Sequence, residues 1–240
     1  MNYLKTPRAR IILLCFLMSS LLLVALPEID LLISGLFFKD RFYLADQGWT
    51  KLLHEGVGGF IVLSMVAVIG IYAFNKFAKR NVGGIDGRKV LYLFLVLALG
   101  AGVIVNVVFK DNFGRVRPRD VQEFGGSRHF TPAFVMTSGC KRNCSFSSGD
   151  AAGAFFALAF ALALSRRRAV TAAAVGFGVA VSFSRVAIGA HFLSDTVVSF
   201  FVMLIVADAL YFYMFVPIPE TVEEVPDASP GELARPLPLS

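Results

Sequence analysis

The sequence is short of the residue types that bind metals. It contains three cysteines and three histidines among 240 residues. Cys140 and Cys144 stand close together, but no adjacent histidine or second cysteine pair completes the four ligands of a structural zinc site. Zinc is therefore the weaker interpretation of this pair, and we expect neither a metal nor another cofactor.

Charged residues are also scarce, at 17%, whereas hydrophobic residues reach 56% and phenylalanine alone occurs 24 times. With a mean hydropathy of +0.69, this composition excludes an ordinary soluble domain and predicts an all-α integral membrane bundle of six helices. Each apolar segment is close to the roughly 17–25 residues that a bilayer core demands. The segments cover residues 11–26, 56–75, 89–109, 149–164, 169–189 and 192–215.

The first 26 residues have two interpretations. Basic residues ahead of an apolar run resemble a signal peptide, but Val24-Ala25-Leu26-Pro27 is a poor cleavage site, so we favour an uncleaved first span. Residues 1–216 then form one membrane domain. The segment 217–240 is rich in proline and acidic residues and is predicted to be a disordered cytoplasmic tail without a catalytic role.

Positive charge predicts the orientation in the membrane. Basic clusters at 5–10, 76–89 and 166–168 lie at alternate connections and should all face the cytoplasm. Both termini are then cytoplasmic, and the other connections face the periplasm of a bacterial inner membrane. Because the basic residues cluster at span ends and not on a soluble face, nucleic acid is not an expected partner.

Two of the outer connections carry distinctive patterns. Segment 27–55 has apolar residues at helical spacing and is predicted to be an amphipathic surface helix, either an interfacial anchor or a lateral gate for a lipid. Loop 110–148 carries seven Lys and Arg against three Asp and Glu. This excess opposes the positive-inside tendency, so we expect the loop to bind an anion.

Polar residues gather at the outer ends of four predicted helices. Lys110 closes the third span and Asp150 opens the fourth. Arg185 closes the fifth and Asp195 opens the sixth, so a bundle brings these ends together. The complete candidate set comprises Lys110, Arg117, Ser148, Gly149, Asp150, Arg185, His191 and Asp195.

The chemistry of this set points to phosphate. Arginine offers a planar fork that matches phosphoryl oxygens, and the helix N-terminus at Ser148 and Gly149 attracts anions. His191 can attack phosphorus or move a proton, and Asp195, one helical turn later, can hold its other ring nitrogen. The residues therefore predict phosphoryl transfer without a metal.

The spacing also resembles a family signature. Lys-x6-Arg-Pro at 110–118, Ser-Gly at 148–149 and Ser-Arg-x5-His-x3-Asp at 184–195 are similar to the three-part motif of the type 2 phosphatidic acid phosphatase superfamily, which includes vanadium haloperoxidases and glucose-6-phosphatase. The resemblance covers most of residues 1–215. It implies that His191 is the nucleophile of a phosphohistidine intermediate and that Asp195 orients it. The residues implied to bind the phosphate are Lys110, Arg117, Ser148, Gly149 and Arg185.

The second part departs from the family pattern. Asp150 stands where the family has a histidine that acts as general acid for the leaving group. Partial burial would favour Asp150 as an acid, whereas the surrounding cations favour its carboxylate form. Three alternatives stay open: Asp150 is the acid, a good leaving group needs no acid, or turnover is weakened.

Five further residues in and around the outer connections have simpler expectations. His54 and His129 lack the Arg and Asp at matching offsets that accompany His191, and they are predicted to be surface or interfacial residues. Arg115, Arg119 and Arg128 either contact a headgroup or solvate the loop.

The cysteines and one buried acid complete the predictions. In an oxidising periplasm Cys140 and Cys144 are expected to form a short disulfide beside Ser147, whereas Cys15 lies inside a span. Asp208 in the last span should lie near its cytoplasmic end, reaching for water or paired with a neighbour.

These observations predict a membrane lipid phosphatase whose partners are the bilayer and a lipid with a phosphate headgroup. The chain resembles bacterial lipid A phosphatases, which ranks lipid A first, ahead of undecaprenyl diphosphate and phosphatidylglycerol phosphate. A rival of another class is a phospholipid-binding or transport protein that keeps the cationic pocket without turnover. A haloperoxidase relative that holds vanadate is disfavoured by the six spans.

Overall fold

This computed structural model describes residues 2–165 and 167–217, and this part of the chain contains seven helices. Single helical turns occupy Tyr3–Lys5, Val82–Gly84, Pro118–Asp120 and Gln122–Phe124. The described residues contain isolated β-bridges but no strand. The predicted tail lies, apart from Pro217, outside the described residues. The helices are α1 Pro7–Ala25, α2 Glu28–Gly35, α3 Gly48–Ala78, α4 Gly87–Lys110, α5 Gly149–Ser165, α6 Arg168–Ala187 and α7 Leu193–Phe215.

Five of these helices, α1, α3, α4, α6 and α7, are long and apolar enough to cross a membrane. Their outward faces carry large apolar side chains, such as Leu63 and Phe77, which are 72% and 86% exposed. Such exposure is unfavourable in water and expected against lipid tails. The all-α, multi-pass membrane fold is therefore confirmed, although α5 is shorter than the other five.

Helix α5 lies in the middle of the bundle, in contact with α3, α4, α6 and α7. Its alanines are buried, so small side chains let four neighbours approach one short helix. Gly178 of α6 is required for this packing, because a Cβ there would stand 2.1 Å from the Phe155 ring of α5. Gly176 has no such neighbour, so only one of these two glycines serves helix packing.

The first and last spans are joined at one end of the bundle. Asp208 of α7 accepts a hydrogen bond from the Tyr3 hydroxyl at 3.0 Å and pairs with Arg8 Nε at 2.7 Å. The prediction that Asp208 has a charged or polar neighbour is thus confirmed. The contact places both ends of the described chain on the same side of the bundle, opposite the outer ends of α4, α5, α6 and α7.

Segment 27–55 differs from the predicted amphipathic helix. Only Glu28–Gly35 is helical in its first part, and turns follow until α3 begins at Gly48. Helix α2 buries Asp30 and Ser34 and leaves Leu32 67% exposed. Its inward face is therefore polar, because Asp30 serves a buried ion-pair network and not an apolar contact.

Loop 110–148 is folded back over the outer end of the bundle. The ring of Phe146 packs against Phe109, Phe113 and Phe134 and anchors the end of the loop. Backbone hydrogen bonds join Thr137 to Phe113 and close the loop on itself. A disulfide joins Cys140 and Cys144, the pairing favoured by the sequence.

Candidate active site

His191 lies in the tight turn between α6 and α7. Gly189 forms this turn with a left-handed backbone (φ 67°), and a Cβ there would stand 2.4 Å from the Phe42 ring, so the site requires glycine. The His191 side chain is buried, and its Nδ1 contacts the Ser145 carbonyl oxygen at 2.8 Å. Because a carbonyl can only accept, Nδ1 carries the proton and Nε2 of the neutral ring keeps its lone pair.

The surroundings of His191 favour its neutral form. Burial lowers the pKa of the imidazole below its ordinary value of 6.5. The cations Arg117 and Lys110 act in the same direction, whereas Asp195 opposes them. An uncharged imidazole is the form that can attack phosphorus.

Asp195 holds the site differently from the prediction. Its Oδ2 lies 3.6 Å from His191 Nδ1, beyond hydrogen-bond distance. It accepts hydrogen bonds from the Ser145 hydroxyl and the Phe192 backbone N–H instead. The Ser145 carbonyl therefore fixes the ring, and the Asp195 carboxylate acts on it electrostatically. The sequence did not reveal this role of Ser145, because a backbone carbonyl in a loop leaves no mark in a residue pattern.

Arg115 is the centre of the buried network, with 1% of its side chain exposed. Its Nη1 donates to Asp195 Oδ1 and, at 2.7 Å, to Ser194 Oγ. Its Nη2 donates to Asp30 Oδ2 and its Nε to the Thr131 carbonyl, each at 2.8 Å. Both roles expected for Arg115, headgroup contact and loop solvation, are wrong, since the loop folds inward and buries the guanidinium between two carboxylates.

The cations Lys110, Arg117 and Arg185 converge at the N-terminus of α5. Lys110 Nζ lies 3.3 Å from the point that a Cβ on Gly149 would occupy, so glycine keeps the ammonium close to the backbone. Arg185 Nε lies 3.1 Å from Asp150 Oδ2. Burial and the neighbouring guanidinium groups lower the pKa of Arg117, as expected where cations crowd together.

Helix α5 offers further anion-binding groups at its first turn. Ser148 caps the helix, because its Oγ accepts from the Ala151 backbone N–H at 3.3 Å, and its hydroxyl hydrogen stays free to donate. The first backbone N–H groups of a helix have no partner within it and attract anions. The buried hydroxyl of Ser147 also has no hydrogen-bond partner among the described residues.

All eight predicted site residues therefore meet at one end of the bundle, and this region coincides with a family match. The sequence model of the PAP2 superfamily matches residues 90–218, which contain the three parts of the motif. The chain belongs to the PAP2 superfamily.

Relatives and a solved structure agree with this membership. The chain is 35% identical over 178 residues to a lipid A 4'-phosphatase of Francisella tularensis subsp. novicida, covering 71% of this chain and 79% of the relative. It is 31% identical over 203 residues to a lipid A 4'-phosphatase of Rhizobium leguminosarum, covering 78% and 87%. A transmembrane PAP2-type phosphatidylglycerolphosphate phosphatase from Bacillus subtilis has the same fold, with a TM-score of 0.58, 21% identity and coverage of 87% and 96%.

The departure from the PAP2 pattern at Asp150 has a structural counterpart in α3. Asp150 Oδ1 lies 3.2 Å from His54 Nδ1. His54 is exposed, as expected for a surface or interfacial residue. Its contact with Asp150 was not predicted, because α3 begins at Gly48, eight residues before the predicted span, and carries His54 to the level of Asp150. His129 is exposed, as expected.

A polar cavity of about 760 Å³ opens beside the PAP2 motif. The disulfide-bonded segment forms part of its wall, and the Asn143 carbonyl in this segment accepts from Arg117 Nη2 at 2.9 Å. Within the described residues, the lining cations make no salt bridge. These cations are Arg117, Arg119, Arg128, Lys141 and Arg142, with Asp120 as the acidic lining residue.

Proposed function

We propose that this protein is a lipid A phosphatase of the bacterial inner membrane. The observation that carries the proposal is the free Nε2 of His191 among Lys110, Arg117 and Arg185 at the N-terminus of α5. The names of the two relatives, which both act on lipid A, support this substrate class. They also favour the 4'-phosphate as the group removed.

The proposed reaction proceeds in two displacements. Nε2 of neutral His191 attacks phosphorus, the bond between phosphorus and the sugar oxygen breaks, and its electron pair leaves with that oxygen. Positive charge then develops on the imidazole, where the Ser145 carbonyl and the Asp195 carboxylate stabilise it. Water next attacks the phosphohistidine, which releases phosphate and restores the lone pair of Nε2.

The proposed role of the cations is to stabilise the charged phosphoryl group during both displacements. The Asn143 carbonyl holds Arg117 and the Asp150 carboxylate holds Arg185 before substrate binds, so little reorganisation of these two cations is needed as charge develops. The hydroxyl of Ser148 and the amide of Gly149 would add donors from the start of α5. Asp150 faces the leaving group in this arrangement.

Two cavities suit the remainder of a phosphorylated lipid. The basic cavity beside Arg117 would take a second anionic group of the headgroup, because its cations have no acidic partner at salt-bridge distance in the described part of the chain. An apolar cleft of about 570 Å³, lined by Ile33, Phe37, Phe183 and Phe200, lies between α2, α5, α6 and α7. We assign it to an acyl chain, since Leu193 in its wall is two residues from His191.

The proposed topology places both termini in the cytoplasm and the site in the periplasm. The basic residues near the ends of α1, α3 and α6 support this orientation by the positive-inside rule. The disulfide between Cys140 and Cys144 suits an oxidising compartment on the side of the site. Residues 1–216 form the membrane domain in this proposal.

Phosphate release from lipid A by the protein purified in detergent tests the function. We expect His191→Gln to reduce kcat on the order of 10⁴-fold or more, since the nucleophile is lost. His129→Gln, which changes an exposed histidine outside the site, is the matched control and should retain full activity. Undecaprenyl diphosphate and phosphatidylglycerol phosphate serve as competing substrates. Equal activity of His191→Gln and wild type would refute the mechanism.

A further inference from the structure

We propose that His54 is the general acid of the reaction and that Asp150 is its positioning residue. This inference rests on the phosphatase function proposed above and identifies the source of the leaving-group proton. It places a histidine from α3, outside the three-part motif, at the position where the family uses a histidine of the motif itself.

The contacts of Asp150 carry this assignment. Its two carboxylate oxygens face different partners, Oδ2 the Arg185 guanidinium at 3.1 Å and Oδ1 the His54 imidazole at 3.2 Å. Each carboxylate oxygen of Asp150 therefore lies at ion-pair distance from a nitrogen, one of a guanidinium and one of an imidazole. A carboxylate beside Nδ1 can orient the ring, which is how Asp and His share acid–base work in enzymes.

The position of His54 leaves its other nitrogen available. The side chain is 53% exposed at the outer end of α3, and Nε2 has no hydrogen-bond partner among the described residues. The charged groups near this pair are Asp150 in α5, Arg185 in α6, Lys110 in α4 and, on α3 itself, Lys51 and Glu55. In this proposal, Nε2–H of the imidazolium is the group of the pair that donates a proton.

The proton balance of the two displacements follows. As the phosphorus–oxygen bond breaks, the sugar oxygen takes the proton of His54 Nε2 and leaves as an alcohol, and His54 becomes neutral. In the second displacement neutral His54 removes a proton from the attacking water, the bond between phosphorus and His191 breaks, and phosphate leaves. His54 is thereby protonated again for the next cycle.

The test compares two leaving groups. An alkyl or sugar oxygen needs an acid, whereas nitrophenolate leaves without one. We expect His54→Gln to lower kcat on lipid A by about 10²–10⁴-fold, the usual contribution of general acid catalysis, and to change p-nitrophenyl phosphate hydrolysis by less than about tenfold. Glu55→Gln, the adjacent exposed residue of α3, is the matched control and should leave both rates unchanged.

Two further measurements distinguish an acid from a structural residue. In a pH–rate profile on lipid A, the decline at high pH should disappear in His54→Gln, because this variant has no proton donor at that position. Added imidazole should restore part of the lipid A rate of His54→Ala. It should not raise the rate of the control Glu55→Gln above that of the wild type. Thermal unfolding of each variant checks that the bundle is intact.

Three outcomes would overturn the inference. They are a lipid A rate of His54→Gln equal to that of Glu55→Gln, an equal loss on both substrates, and no rescue of His54→Ala by imidazole. If His191→Gln is inactive in the same assays, the phosphatase function stands and only the assignment of His54 fails. Full activity of His191→Gln would instead refute the His191 mechanism, and the absence of phosphate release by the wild type would refute the proposed function.

Discussion

Arg115 shows how one buried side chain organises this site. Its guanidinium lies between Asp30 and Asp195 and over the Phe192 ring at 4.3 Å. Two carboxylates and one cation are thereby removed from water together, which is tolerable because nearly every donor has a partner. Through Asp195 and Ser145 the same network reaches His191.

Removing this cation tests the network. Arg115→Met keeps an apolar chain but leaves two buried carboxylates unpaired, and breaking a buried ion pair in this way costs about 3–5 kcal/mol. We expect the free energy of unfolding in detergent to fall by about that amount. Arg119→Met, on an exposed arginine of the same loop, should change it by less than about 0.5 kcal/mol. Equal stabilities would contradict the role of Arg115.

The pKa of His191 leads to a second prediction at this scale. Since it lies below 6.5, neutral His191 persists into mild acid, and the acid limb of kcat/KM should lie below pH 6.5. Arg117→Gln removes a cation that lowers this pKa, so the imidazolium is stabilised and the acid limb moves to higher pH. A pH–rate profile of both proteins measures the shift. An acid limb above pH 6.5 in the wild type would contradict it.

The residue scale is also where sequence reasoning reached its limit. The motif residues were predictable because their spacing is local and repeated within a family. Arg115, Asp30 and His54 were not, because each acquires its partner from a distant helix. Asp30 could have been noticed, because it is a carboxylate within the apolar run of residues 29–33, where a buried acid needs a cationic partner.

At the scale of elements, helix position decides which residues meet. Apolar length predicted the five long helices and the shorter α5 within a few residues at most ends, since a bilayer imposes such lengths on its spans. The start of α3 was placed eight residues too late, because its first two turns are only partly apolar and lie beyond the hydrophobic run. This extension is what brings His54 to α5.

The disulfide-bonded segment is the element that holds the basic cavity. Changing Cys140 and Cys144 together to serine frees the segment whose Asn143 carbonyl fixes Arg117. Ordering one long side chain costs about 0.5–1.5 kcal/mol, so KM for lipid A should rise roughly 2- to 10-fold with little change in kcat. Cys15→Ser is the control. A loss confined to kcat would contradict this role of the disulfide.

For the whole molecule, the contact of Asp208 with Arg8 and Tyr3 places both ends of the described chain on the side opposite the site. The proposed orientation therefore predicts which thiols an impermeant reagent reaches. In spheroplasts of a Cys15→Ser strain, Cys140 and Cys144 should be labelled once their disulfide is reduced. In a second strain all three cysteines are changed to serine and Lys76 to cysteine, and this Lys76→Cys thiol should be labelled only after lysis. Labelling of Lys76→Cys in intact cells would reverse the orientation.

The Asp30–Arg115–Asp195 network also has a consequence for biosynthesis. Its members lie in the second helix, the outer loop and the last helix, so they leave the ribosome far apart in time. Until α7 enters the membrane, Arg115 lacks its contacts with Asp195 and Ser194, Asp30 lacks its contact with Ser194, and His191 lacks the neighbouring carboxylate of Asp195. The nascent protein therefore gains its reaction centre in the final stage of insertion, and a chain truncated before α7 is inactive however many spans it has already placed.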